Sequence, residues 1–307
     1  MILCCGEALI DMLPRQSTSG EPCFAPYAGG AVFNTAIALG RLGAPAGYFS
    51  GLSTDLFGKV LEETLAAAKV DMSLAVRSAR PTTLAFVTLR NGQASYAFYD
   101  ENTAARMLSA EDLPALPATV QALYLGSISL VKDPAASAYE ALADREADRR
   151  VIMFDPNIRA GFVTDEAGYR ARLARMLARA DIVKMSDEDL TWIEGAGETA
   201  TLARGLLKRG PKIVCITEGS QGARAFSATA EVFVPVLKVE VADTVGAGDT
   251  FNAAILASLH RQGRLSKRAL ATADRDMLEA ALTLGVRAAA VTVSRPGANP
   301  PWAHELA

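Results

Sequence analysis

Asp243-Thr244-Val245-Gly246-Ala247-Gly248-Asp249-Thr250-Phe251 runs directly into an apolar helical stretch that ends near His260. A small-residue loop at a helix N-terminus presents unpaired backbone N–H groups and the positive end of the helix dipole. That makes an anion site, and glycine lets a phosphate approach the backbone closely. Asp249 is odd there, because a carboxylate beside an anion hole repels a phosphate. Two readings stand on the residue pattern: Asp249 caps the helix, or it takes a proton from an attacking hydroxyl. No G-x-x-x-x-G-K-[ST] occurs in the chain, so the loop is not a P-loop. No dinucleotide G-x-G-x-x-G follows the first strand either.

Outward from this loop, short apolar strands alternate with helical stretches. Residues 2–6 read as a buried strand, 31–42 as a helix after a double glycine, and 46–50 as a strand. Thr54 is positioned to cap a helix over 55–69. Strands at 122–125, 151–154, 182–184 and 212–217 alternate with helices at 134–148, 165–180, 187–193 and 198–209. Two short strands follow near 223–227 and 231–235, and a last helix after Thr272 gives way to the VTVSR segment. This order predicts an α/β fold with a doubly wound, mostly parallel sheet flanked by helices. The segments near 9–27 and 83–99 alternate with a period of two instead, and are expected to form a small β lid. Asn91-Gly92 between 83–89 and 94–99 favours a tight hairpin turn.

The whole chain is 307 residues, 50% hydrophobic and 21% charged, which supports a sizeable core and excludes disorder as the main state. A net charge of -3 gives no basic surface for nucleic acid or an anionic membrane. With only His260 and His304, a Ser-His-Asp hydrolase or a His-rich zinc site is not supported. Cys4, Cys5, Cys23 and Cys215 contain no C-x-x-C pair and read as reduced thiols. The first residues lack a basic segment and carry Glu7 and Asp11, so no signal peptide is expected, and no apolar run is long enough to span a membrane. A cytoplasmic protein is the expectation.

DTVGAGDTFNAA (243–254) resembles the C-terminal signature of the ribokinase-like (PfkB) carbohydrate kinases. Gly29-Gly30-Ala31-Val32-Phe33-Asn34-Thr35-Ala36 resembles the first signature, followed by Leu42-Gly43 and Gly51…Asp55…Gly58. The match runs in order from Gly6 to Gly297. It implies one ribokinase-like domain over 1–307, a β lid over a sugar, and transfer of the ATP γ-phosphoryl group to a sugar hydroxyl. It makes Asp249 the base and Gly246, Ala247 and Gly248 the anion hole. It brings Mg2+ with ATP, and a K+ ion near the carbonyls of Asp243 and Val245.

The remaining motifs sort against the same pattern. Thr217-Glu218-Gly219-Ser220-Gln221-Gly222 resembles the family's nucleotide segment, which implies Thr217, Gly219 and Gly222 as nucleotide contacts, and Thr244 of the 243–249 loop is expected to join them. The plain alternative is a glycine-rich turn. Where the family often has N-x-x-E, this chain has Ser186-Asp187-Glu188-Asp189. Asp189 either holds metal-bound water or belongs to an acidic first helical turn. The matching aspartate, Asp11, would take two adjacent sugar hydroxyls, with Gly30 and Asn34 adding contacts; helix cap and polar helix position are the plain readings of the last two. Asp155-Pro156-Asn157-Ile158-Arg159 follows a strand at the sheet's ligand edge, so Asn157 and Arg159 either meet substrate or shape the loop.

The segment 94–104, with Phe98, and Gly126-Ser127-Ile128-Ser129-Leu130 resemble the bacterial fructokinases of the family. Phe98 either covers the sugar or packs within the lid or a dimer. The implied acceptor is the 6-hydroxyl of fructose, with 2-keto-3-deoxygluconate or another ketose as the alternative, and a non-catalytic sugar sensor on the same fold as the remaining one. Free strand edges on the lid suggest a homodimer through it.

Overall fold

A computed structural model describes residues 1–90 and 93–306, with side chains excepted at 88–90 and 93–96. Asn91-Gly92, the expected hairpin turn, lies outside the described residues.

The main sheet has eight strands in the order β14-β13-β12-β11-β10-β9-β1-β4. They are β1 (Ile2–Cys5), β4 (Ala46–Phe49), β9 (Ala122–Gly126), β10 (Val151–Asp155), β11 (Ile182–Ser186), β12 (Ile213–Thr217), β13 (Gly222–Phe226) and β14 (Glu231–Pro235). β4 through β12 are parallel, and β13 and β14 close the edge antiparallel. The chain passes from β1 outward to β4, then returns to lay β9 on the other side of β1. That reversal is a switch point, and it opens a crevice at the C-terminal ends of β1 and β9.

Helices α1 (Ala31–Arg41), α2 (Leu56–Ala67), α7 (Ala247–Arg261) and α9 (Arg275–Val293) supply one core layer. Helices α3 (Ala135–Glu146), α4 (Glu166–Arg179), α5 (Asp187–Glu194) and α6 (Thr199–Leu207) supply the other. Strand residues alternate between the two layers. Ile2, Cys4, Tyr124 and Met153 join the first, while Leu3, Cys5, Leu125 and Phe154 join the second. Burial on both faces explains the unbroken apolar strand sequences. It also sends Cys4 and Cys5 to opposite faces, and all four cysteines are free. α7 has eleven of its fifteen residues buried, because α1, α9 and the sheet surround it. α8 (Lys267–Leu270) is a single turn between α7 and α9.

The two alternating segments do pair in a second sheet. β2 (Leu9–Gln16), β3 (Pro22–Gly29), β7 (Thr83–Arg90) and β8 (Gln93–Tyr99) run in the order β3-β2-β7-β8. Three local expectations need correction. Asp55, not Thr54, caps α2: its carboxylate accepts from the Gly58 amide and also from Thr82, so it fastens the helix to the second sheet. The VTV segment belongs to α9, which continues through Val293 because its apolar face is still packed on α7. Residues 46–53 hold two strands, and β5 (Gly51–Ser53) leaves the main sheet to pair with β6 (Val76–Ser78). Among the described residues no helix is long and apolar enough to cross a membrane.

Gly126 ends β9 at the crevice, where a Cβ would stand 1.9 Å from the Asp155 carbonyl oxygen. Gly126→Ala is therefore expected to lower stability by about 1–3 kcal/mol, the usual cost of forcing extra volume into a packed site. A fall in the urea midpoint at unchanged slope checks this, and an unmoved midpoint would refute it.

Candidate active site

The site is built where the first turn of α7 meets the C-terminal ends of the strands. Gly246 caps α7 in a left-handed conformation, φ 78°. An added Cβ there would also come within 2.7 Å of the Ala298 side chain, so only glycine fits. The amide of Ala247 is taken by the Thr244 carbonyl, and that of Thr250 by the Gly246 carbonyl. The amides of Gly248 and Asp249 are left without a backbone acceptor among the described residues. They point the dipole's positive end at whatever binds.

Asp243 braces the loop. Its carboxylate accepts from the amides of Val245 and Gly297 and so ties the loop to the chain's last segment. Thr244 and Val245 are exposed.

Asp249 is buried, and its carboxylate accepts one side-chain hydrogen bond, from Asn34 Nδ2 at 2.9 Å. Burial is the main reason its pKa is pushed up to about 7. Asn34 pulls it down, the nearby Asp155 charge pushes it up, and Lys184 pulls it down. Asn34 can do this because it lies on the first turn of α1, whose cap comes from elsewhere. Gly30 offers no side chain, and Glu7 instead accepts from the amides of Ala31 and Val32. Glu7 also bonds Ser129, and Ser129 in turn accepts from the Glu7 amide at 2.8 Å. This pair straddles the switch point between β1 and β9.

Asp11 sits on β2 with its carboxylate over Gly29, where an added Cβ would lie 2.2 Å from Oδ2. It makes no side-chain hydrogen bond among the described residues, and burial lifts its pKa to about 6. Its place beside Gly29-Gly30 puts it on the same wall as Asn34. Phe98 on β8 packs edge-on against Phe162, with centroids 4.8 Å apart. Phe162 follows Arg159 by three residues, so the second sheet reaches the Asp155–Arg159 loop there. Asn157 has φ 39°, and its amide bonds the Asp155 carboxylate. Arg159 is exposed and reaches the Ile158 carbonyl.

Thr217 pairs in register with Ser186, which places the β12–β13 turn beside the start of α5. Gly219 has φ 52° with open space around it. Gly222 has a packing reason of its own, since a Cβ would stand 2.2 Å from the Val234 carbonyl. Ser186 and Asp189 form a capping box, and Asp189 also accepts from the Ile158 amide at 3.0 Å. Asp189 thus pins the Asp155–Arg159 loop to α5. No cluster of three metal-binding side chains occurs among the described residues.

Four residues here had no role in the sequence reading: Glu7, Asp155, Lys184 and Asn252. Lys184 Nζ lies 3.2 Å from Asp155 Oδ2, and both side chains are almost fully buried. Asn252 Nδ2 bonds that same oxygen at 2.7 Å and the Tyr124 hydroxyl at 2.9 Å. The signal for Lys184 was available, because a lysine stands inside the otherwise apolar strand IVKM. The surrounding network was not, since Asp155, Asn252 and Tyr124 come from three other elements.

A model of the family described as pfkB family carbohydrate kinase matches residues 1–305. A fructokinase of Rhizobium leguminosarum bv. trifolii is 55% identical over 278 residues, covering 91% of this chain and 85% of that protein. A fructokinase of Klebsiella pneumoniae is 34% identical, covering 84% of each. The crystal structure of a Xylella fastidiosa fructokinase with bound ATP superposes with a TM-score of 0.89 at 28% identity, covering 99% of this chain and 96% of that one. The fold is the ribokinase-like one.

The Asn34–Asp249 bond makes a titration test. The Asp249 carboxyl carbon, followed by 13C NMR, is expected to titrate near pH 7. Asn34→Ala removes a donor to the ionised form, so the midpoint should move up. A midpoint in the ordinary carboxylate range, or one indifferent to Asn34, would contradict this geometry.

Proposed function

We propose that this chain, which belongs to the pfkB family of carbohydrate kinases and is thus a phosphotransferase acting on a sugar hydroxyl, uses ATP to phosphorylate fructose at its 6-hydroxyl. The choice of fructose rests on the 55% identical relative. The observation that carries the mechanism is the buried Asp249 beside the unpaired amides of α7. A carboxyl poised near 7 is ionised enough at neutral pH to act as a base, and basic enough to accept a proton.

In this reading the fructose oxygen bonds to the γ-phosphorus, and the bond from that phosphorus to the bridging oxygen breaks. Its electron pair leaves on ADP, and the hydroxyl proton passes to Asp249. The transition state is loose, so positioning and charge neutralisation carry most of the catalysis. Of the Gly246-Ala247-Gly248 turn, Gly248 supplies a backbone donor to the phosphoryl oxygens, joined by the Asp249 amide, while Gly246 shapes the turn and the Ala247 amide stays with the Thr244 carbonyl. Asp11, whose carboxylate has no hydrogen-bond partner among the described residues, accepts two adjacent sugar hydroxyls. Gly30 and Asn34 add contacts on the same wall, and Phe98 lays a ring over the sugar from the lid. Asn157 and Arg159 border the sugar from the β10 side. Thr217, Gly219 and Thr244 face the nucleotide; Gly222 is better accounted for by its packing on Val234.

Mg2+ bound with ATP neutralises phosphate charge. Asp189 fits contact through a metal-bound water, because both its oxygens already accept backbone amides. A K+ ion would meet the carbonyls of Asp243 and Val245. Phe24, Tyr27 and Tyr99, exposed on the lid sheet, support a homodimer through it.

Turnover with Mg2+ and ATP across fructose, 2-keto-3-deoxygluconate, ribose, tagatose, glucose and adenosine should peak on fructose. The rate should rise with pH through about 7, because only the ionised base accepts a proton. Asp249→Asn should cut kcat by about 10²–10⁴-fold. It should not lower Tm at pH 8. A folded pKa raised above the unfolded one stabilises fully below the unfolded value, and that stability is lost as pH rises through the folded value. At pH 8 the neutral asparagine escapes the penalty. A variant within a few-fold of wild type would remove Asp249 as the base.

A further inference from the structure

A second group of charges lies beside the crevice, away from the start of α7, and takes no part in the chemistry described so far. Ala85 on β7 is the register partner of Asp11 on β2 and of Phe98 on β8. Register partners lie abreast on one face of a sheet, so Asp11, Ala85 and Phe98 share a face. Thr83 and Asp100 stand two residues from Ala85 and Phe98, and alternation keeps them on that face. Asp100 directly follows β8 and is buried.

There its carboxylate meets two cations. Arg106 Nη1 donates to Oδ2 at 3.0 Å, and Lys132 Nζ lies 3.5 Å from Oδ1. Arg106 is anchored through Nε on the Asp133 carbonyl at 2.8 Å. Lys132 stands over the Phe162 ring, 4.2 Å from its centroid, and the same ring meets Phe98. The three charges line a cavity of about 40 Å³ together with Thr83, Phe162 and Glu7. Glu7 is committed to the amides of Ala31 and Val32 and to Ser129. Among the described residues two acids thus face two bases, and the cavity has no cation to spare for a further carboxylate.

That balance bears on the class of substrate. Fructose and 2-keto-3-deoxygluconate both end in a primary hydroxyl. At the other end fructose carries a hydroxymethyl group and the keto-acid a carboxylate. Resting on the kinase reading above, we infer that Asp100 is a specificity-determining residue which selects a neutral ketose over a sugar acid, because its carboxylate takes the place between Arg106 and Lys132 that a substrate carboxylate needs. Without Asp100 the two cations form a fork and a point charge suited to a carboxylate. With it both are matched, and its own charge opposes a second one. Discrimination is gained as much by repelling the wrong ligand as by holding the right one.

The test compares kcat/KM for 2-keto-3-deoxygluconate and for fructose in wild type, Asp100→Ser and Asp100→Ser/Lys132→Met, each checked for folding by circular dichroism and Tm. Serine removes the charge and vacates its place. The ratio of keto-acid to fructose should rise by about tenfold or more, the worth of one charge-assisted hydrogen bond, and mainly through KM. The double variant withdraws one cation again, so the ratio should fall back toward that of wild type. Asp100→Asn keeps the shape and removes only the charge; it replaces serine if that variant does not fold, and should move the ratio the same way. An unchanged ratio, with both substrates losing together, would overturn the inference and leave Asp100 as a brace for the 100–106 loop. A wild type that prefers the keto-acid would overturn it together with the choice of fructose. A wild type inactive on every sugar would sink the kinase substrate reading alone. Calorimetry with gluconate would then decide Asp100: binding should tighten about tenfold or more in Asp100→Ser, and equal binding would overturn the inference.

Discussion

The site depends on burying charge where one helix begins. Asp249 and Asp155 are both withdrawn from water near the first turn of α7, where Lys184 pairs with Asp155 and its charge also lowers the Asp249 pKa. Asp155 takes most of the available donors: Lys184, Asn252 and the Asn157 amide. Among the described residues, the Asp249 side chain receives only the Asn34 amide. That unequal division leaves one carboxylate well supplied with donors and the other short of them, with its pKa pushed up to about 7 by burial. Two like groups thus acquire different chemistry from their surroundings, which is how acid–base roles are separated in general.

The scaffold serves that division. Parallel strands end together, so the loops after β1, β9, β10 and β11 all open on one edge. Glu7 and Ser129 lock the crevice between β1 and β9, and Glu7 also caps α1. This frees Asn34 from capping duty and turns it toward Asp249. Asp189 does comparable work on the far side, pinning the Asp155–Arg159 loop to α5. The departure from the N-x-x-E pattern at Ser186 and Asp189 is therefore coherent: the shorter pair makes a tight capping box and reaches a backbone amide. The second sheet meets the body at Asp55–Thr82, Thr83–Thr103 and Phe98–Phe162 among other contacts, and it carries Asp11 on β2.

Much of this was legible in the chain, because the signals are local. The period of two in 83–99, the double glycine before α1 and the glycines before α7 depend on near neighbours along the backbone. Where the reading slipped, a distant contact was responsible. Asp55 outcompetes Thr54 as a cap because it also serves Thr82, 27 residues away. α9 outlasts its expected end because α7 covers it.

By itself, the sequence determined the layered α/β architecture, the separate second sheet, and the glycine turn that opens α7 with its odd carboxylate. Strand and helix periods and turn chemistry are properties of short stretches, so they survive without coordinates. Only the tertiary structure decided which side chains share the site. Asn34 and Asp249 are 215 residues apart along the chain, and Lys184 and Asp155 are 29 apart on neighbouring strands. Their meeting is set by strand order and helix packing, and so is the desolvation that raises the Asp249 pKa and leaves Lys184 beside Gly248. Burial and charge coupling act through space, and no local pattern carries them.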